Sequence, residues 1–151
     1  MGDLYTTDVM EWSEHQARLL RQHAAGKLAG SAASQPGNEL PDWANIIEEI
    51  ESVGRSEFNA VRSPLVQALL HDLKCAAWPL SRDLPHWQAE GRGFRRDARR
   101  SHTASMRQKI DLAELYADAL DRLPGTNDGQ QPLPVPATCP VTLVELLLLE
   151  T

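Results

Sequence analysis

The chain has 151 residues, of which 42% are hydrophobic and 24% charged, and its formal net charge is −6. That length buries a sizeable core without help from disulfides or a structural metal, and the acidic balance argues against a protein whose whole surface binds nucleic acid. Cys75 and Cys139 lack the paired spacing of a zinc or redox motif and read as two reduced thiols in a cytoplasmic protein, with a disulfide between them as the alternative. The start of the chain has no basic stretch leading into an apolar run, so no signal peptide is expected. The longest apolar run, Leu146 to Leu149, is far short of the ~20 residues that cross a bilayer.

Apolar positions recur at intervals of three and four along nearly the whole chain and nowhere alternate as a strand does. The expectation is therefore an all-α, single-domain helical bundle of about five main helices plus a short C-terminal one, with loops at about 30–41 and 124–141. The first helix starts near Tyr5, capped by Thr7 or Asp8, with Tyr5, Val9, Trp12, Gln16, Leu19, Leu20 and His23 as one stripe. Asp42 caps a second, whose apolar face is Trp43, Ile46, Ile47, Ile50 and Val53, and Gly54 stands where a terminator belongs. A third helix is expected from Ser56, with Phe58, Val61, Leu65, Val66, Leu69, Leu70 and Leu73 on a broad face and Pro64 kinking it or delaying its start.

Pro79 and Pro85 mark the break before a fourth helix, with Trp87, Phe94 and Ala98 turned inward and weakened by Gly91 and Gly93. A fifth is read from about Ala104 to Leu123, capped by Ser101 or Thr103, with Met106, Ile110, Ala113, Ala117 and Leu120 inward. Thr142 and Glu145 have the spacing of a capping box opening a last helix, whose leucines read as docked in a groove, with a dimer contact as the alternative.

Several of these segments carry a likeness. Leu4-Tyr5, Trp12, Asp42 with Glu48-Glu49-Ile50-Glu51-Ser52 and Gly54-Arg55-Ser56-Glu57, His71 with Leu73-Lys74, Trp87 with Arg92 and Arg95, Tyr116, and Cys139-Pro140-Val141-Thr142-Leu143 occur in one order. In that order the chain resembles the bacterial domain-of-unknown-function family 29 over nearly its whole length. The resemblance implies a compact all-helical cytosolic protein and no established activity or catalytic residue. Where the family pattern is similar to His-Leu-Leu-Lys, this chain has His71-Asp72-Leu73-Lys74, and where the family has Ser-Trp followed by Thr-Ile it has His86-Trp87 followed by Glu90-Gly91.

No motif names a reaction or a cofactor, so function has to be read from three constellations. Glu48, Glu49 and Glu51 on the second helix, with His71 and Lys74 on the third, make a polar inter-helix cluster; facing carboxylate and imidazole groups there would allow a carboxylate- or metal-dependent enzyme. The Glu-x-x-His pair usual for such bundle sites is absent, which favours salt bridges that fix packing. Tyr5, Trp12, Gln16 and Trp87 are candidates for an aromatic or buried polar pocket, although such residues on an apolar stripe more often belong to ordinary core.

The third constellation is the strongest local charge signal. From Arg82 to Lys109 there are eight basic residues against three acidic ones, while the rest of the chain has seven basic against eighteen acidic. Arg92, Arg95, Arg96, Arg99 and Arg100 fall opposite the expected inner face of the fourth helix, as a basic stripe reaching Arg107. The favoured reading is a non-catalytic interaction module whose basic fourth-helix and acidic second-helix faces engage a protein partner or a second copy of the chain. Nucleic acid or another polyanion on the same arginines is the alternative, and no membrane partner is expected.

Overall fold

The computed structural model describes residues 3–29 and 40–148. These are all-helical with no strand among them: α1 (Leu4–Thr7), α2 (Val9–Ala29), α3 (Trp43–Ala77), α4 (Leu84–Ser101), α5 (Leu112–Arg122) and α6 (Leu143–Leu148), with one turn of 3-10 helix at Ala104–Met106. The chain divides into two compact units, 1–58 with 103–106, and 59–102 with 107–151. The loop expected at 30–41 and Leu149 fall largely outside the described residues.

In the first unit a buried aspartate does two jobs. The Asp8 backbone N–H closes α1 onto the Leu4 carbonyl at 2.8 Å, and its carboxylate accepts the Glu11 N–H at 3.1 Å, capping α2. The same carboxylate accepts the Thr103 hydroxyl at 2.9 Å, the Ser105 N–H at 2.8 Å and the Ser105 hydroxyl at 2.7 Å. Burial alone would raise its pKa, but donors from Ser105, Glu11 and Thr103 outweigh that and hold it below the usual carboxylate value. Thr103, expected to cap a fifth helix, is spent on Asp8 instead. Its neighbours make the 3-10 turn, and α5 begins only at Leu112, where Asp111 accepts the Glu114 N–H at 3.2 Å.

The stripe expected on the first helix is rotated. Met10, Ser13, Ala17 and Ala24 are buried, whereas Tyr5 and Leu19 are exposed, and Tyr5 packs edge-on against Trp12 with ring centroids 4.9 Å apart. The reason is a close crossing of α2 with α3. Asp42 caps α3 as expected, accepting the Asn45 N–H at 3.3 Å, but Gly54 does not end the helix. Its missing side chain makes room for α2 instead, since a Cβ at Gly54 would stand 2.2 Å from Ser13 Oγ. The Ser13 hydroxyl turns back to donate to the Met10 carbonyl at 2.9 Å. The predicted second and third helices are thus one helix of 35 residues that runs through Pro64.

In the second unit the later part of α3 buries Val61, Leu65, Leu69 and Leu73, and α4 buries Trp87, Gly91 and Ala98. Phe94 is half-buried. In α5 the inward residues are Leu115, Tyr116 and Ala119, not the expected Ala113 and Ala117, which lie on the exposed side of the helix. The extended segment 124–141 is held by the Trp78 indole N–H donating to the Gln130 carbonyl at 3.1 Å and by the Leu133 N–H donating to the Ala77 carbonyl at 2.9 Å. Asp128 (φ 50°) and Gly129 (φ 75°) form a type I′ turn closed by Asn127 and Gln130. The predicted capping box is present, with the Thr142 N–H donating to Glu145 at 3.1 Å and the Glu145 N–H to Thr142 at 3.2 Å. Leu146 and Leu147 are buried.

Two outcomes follow. Gly54→Ala should destabilise the chain by more than the roughly 1 kcal/mol of helix propensity it adds, and Ser13→Ala in the same chain should restore most of the loss, because removing Oγ leaves the Ser13 Cβ at 3.4 Å and the Met10 Cγ at 3.6 Å, both ordinary contacts. Urea unfolding of the single and double variants measures both. Asp8 is depressed in the folded state, so its contribution is full above the ordinary carboxylate pKa of about 3.9 and lost as pH falls through the folded value. Asp8→Ala should cost about 1–3 kcal/mol at neutral pH, with the gap from wild type closing in acid; an equal gap at both pH values would contradict this.

Candidate functional site

The basic stripe lies on α4, and the structure divides it. At about 100° per residue the buried positions Trp87, Gly91 and Ala98 define an inner face, and Arg92, Arg96 and Arg100 point away from it. All three are exposed, and none makes an ion pair among the described residues. Arg95 is a correction to the expected stripe. Its side chain is only 13% exposed, and its Nη2 meets both Asp72 carboxylate oxygens on α3 at 2.5 Å. Arg99 is half-buried and donates from Nη1 to the Leu147 carbonyl at 3.3 Å.

The inner side of α4 carries a denser polar arrangement. His71 of α3 is 5% exposed; its Nδ1 lies 2.7 Å from the Gln67 carbonyl and its Nε2 2.7 Å from Glu90 Oε2. The other Glu90 oxygen is 3.2 Å from His86 Nε2, one turn earlier. The His71 hydrogen bond first, then the positive charge of His86, His71 and Lys74, hold the Glu90 carboxyl below its ordinary pKa. Asp72 goes the other way. Loss of water raises its carboxyl, and Arg95 and His71 pull it down without cancelling the rise. Arg95 Nε is buried without a partner. The Asp72–Arg95 pair therefore orients α4 more than it stabilises the fold.

The polar cluster expected from facing helices does not form as drawn. Glu48, Glu49, Glu51, His71 and Lys74 all belong to α3, and the hairpin that would bring its two halves face to face is absent. Glu48 pairs with Arg55 at 2.5 Å and Glu51 pairs with Arg21 of α2, while Glu49 is exposed. Lys74 instead sits 6.0 Å from the centroid of the Trp87 ring. Among the described residues no group of three or more His, Cys, Asp or Glu side chains could hold a metal ion. The pocket candidates are also parted: Tyr5, Trp12 and Gln16 are in the first unit, and Trp87 is in the second, where it packs on Trp78 with centroids 6.3 Å apart.

Sequence reasoning missed a groove of about 490 Å³ in the second unit, floored by Val66, Phe94 and Leu115. Its arginines are neutralised: Arg62 meets Glu114 at 3.2 Å and Arg122 meets Asp118 at 2.9 Å. It offers no net charge to a polyanion, which leaves the outer face of α4 as the basic surface. No helix among the described residues is long and apolar enough to cross a membrane, and Cys75 and Cys139 are free.

The family model described as domain of unknown function DUF29 matches residues 4–150. Among solved structures the chain is similar to an alpha-helical protein of unknown function from Rhodospirillum rubrum, with a TM-score of 0.71 and 21% identity, over 97% of this chain and 90% of that one. At that identity the likeness shows the fold. No curated protein matches the chain.

If Arg95 serves chiefly to neutralise Asp72, then Arg95→Ala should cost about 1–3 kcal/mol, while Arg96→Ala stays within about 0.5 kcal/mol of wild type. Asp72→Leu with Arg95→Met, which removes both charges at once, should return close to wild-type stability in urea unfolding.

Proposed function

The chain belongs to the DUF29 family, and from that premise we propose that it is a non-catalytic interaction module that docks an acidic surface of a protein partner on the outer face of α4. The observation that carries this reading is the set Arg92, Arg96 and Arg100: three exposed arginines at four-residue intervals on one helical face, none in an ion pair among the described residues. Fixed charges of one sign on a rigid helix speed encounter with a complementary partner and set its orientation, more than they add to affinity. The inner face of the same helix is committed to α3, so the ladder is presented on a held element. We assign the protein to the cytoplasm, in keeping with its two free thiols.

Nucleic acid is the second reading, favoured by one detail: all three positions are arginine, whose planar fork of donors suits phosphate. The readings part in one comparison. In affinity capture, the triple variant Arg92→Glu, Arg96→Glu and Arg100→Glu should lose at least tenfold of the partner retained by wild type, while Arg62→Glu retains it. Equal capture by both variants would remove the docking reading. In anisotropy titrations with short single- and double-stranded DNA, the docking reading expects no binding that weakens steeply between about 50 and 200 mM salt, whereas three phosphate contacts would give a log–log slope near −2 to −3.

A further inference from the structure

His71 and Glu90 present a problem of proton accounting. A carbonyl oxygen only accepts, so Nδ1 of His71, 2.7 Å from the Gln67 carbonyl, carries a hydrogen. Nε2 then faces Glu90 Oε2 at 2.7 Å, a separation at which a bare nitrogen lone pair and a carboxylate oxygen repel. One proton must lie between them. We propose that His71 and Glu90 form a single-proton clasp that fastens α4 to α3 and lets go when that proton is withdrawn.

The surroundings assign the proton to the imidazole. Glu90, with His86 and Lys74 beside it, is held as the acceptor of that proton, so both His71 N–H groups are satisfied, one by the Gln67 carbonyl and one by Glu90. Of the other charged groups that face it, Asp72 on α3 and Arg95 on α4 are bound to each other, and Lys74 on α3 favours the Glu90 anion. Cys75, one turn along α3, has its thiol pushed up by burial and stays neutral. His86 touches the second Glu90 oxygen but is 69% exposed, so water replaces that contact readily. His71 has no such substitute. Its side chain is 6% exposed, it lies against Phe94 at 5.3 Å, and a Cβ on Gly91 of α4 would stand 3.6 Å from its own Cβ.

The clasp closes only between two limits. On the acid side Glu90, depressed in the folded state, gives its contribution above the ordinary carboxylate value of about 4.3 and loses it as pH falls through the folded one. On the alkaline side the contact opens once no proton is left between Nε2 and Oε2, because two bare lone pairs 2.7 Å apart repel. This holds whether or not the arginine face docks a partner.

The test uses the full chain. Nitrogen-15 spectra of the imidazole rings at about pH 6 should show both nitrogens of His71 protonated. Between about pH 6 and about pH 9 the wild-type Tm should fall by about 2–4 °C more than that of Glu90→Gln, whose amide donates to a neutral imidazole or flips to accept from a charged one. His86→Ala should keep the wild-type pH dependence. A bare Nε2 at pH 6, parallel curves for wild type and Glu90→Gln, or a flattened curve in His86→Ala would each overturn the proposal; the ring spectra need no variant to fold.

Discussion

The outer face of α4 is what it is because the inner face is pinned at two points. Glu90 and Arg95 stand five residues apart, about 140° around the helix, and so flank the buried line of Trp87, Gly91 and Ala98 on opposite sides. Their partners, His71 and Asp72, are consecutive residues of α3. Apolar burial supplies the adhesion between the helices, but a stripe of one tryptophan, one glycine and one alanine constrains rotation weakly. Two charged contacts on its flanks fix that rotation, and Arg92, Arg96 and Arg100 are turned outward as a result.

Buried Asp8 and half-buried Asp72 show how differently a protein can satisfy a carboxylate. Among the described residues Asp8 meets no cation; backbone and hydroxyl donors already held in place by the α2 terminus and the 103–105 turn solvate it and lower its pKa. Asp72 meets a full positive charge and is still raised, because a single guanidinium nitrogen replaces less of the lost water than four donors do. Asp8 therefore knits the first unit together, while Asp72 serves to position Arg95.

Much of the local structure was written in plain chemical terms. The Asp42 cap, the Thr142 and Glu145 capping box, the all-helical periodicity and the extended proline-rich segment were all legible, since each depends on residues within a few positions of one another, and the family was legible from the order of such segments along the chain. Gly54 and Thr103 were legible and misleading. A glycine after an apolar helix face is usually a terminator, and a threonine before a helical stretch is usually a cap; here Ser13 requires the missing side chain and Asp8 recruits the hydroxyl. Both causes lie more than 40 residues away in sequence.

The candidate site divides along the same line. Sequence alone determined that the chain is helical, that eight basic residues crowd into Arg82 to Lys109, and that α4 has one basic and one apolar side, because composition and a 3.6-residue period are properties of a single segment. Only the tertiary structure decided that Arg95 is taken by Asp72, that Arg99 is tied to Leu147, and that His71 meets Glu90. An ion pair between helices depends on which turns lie opposite one another, and that register is set by packing of side chains from several segments at once.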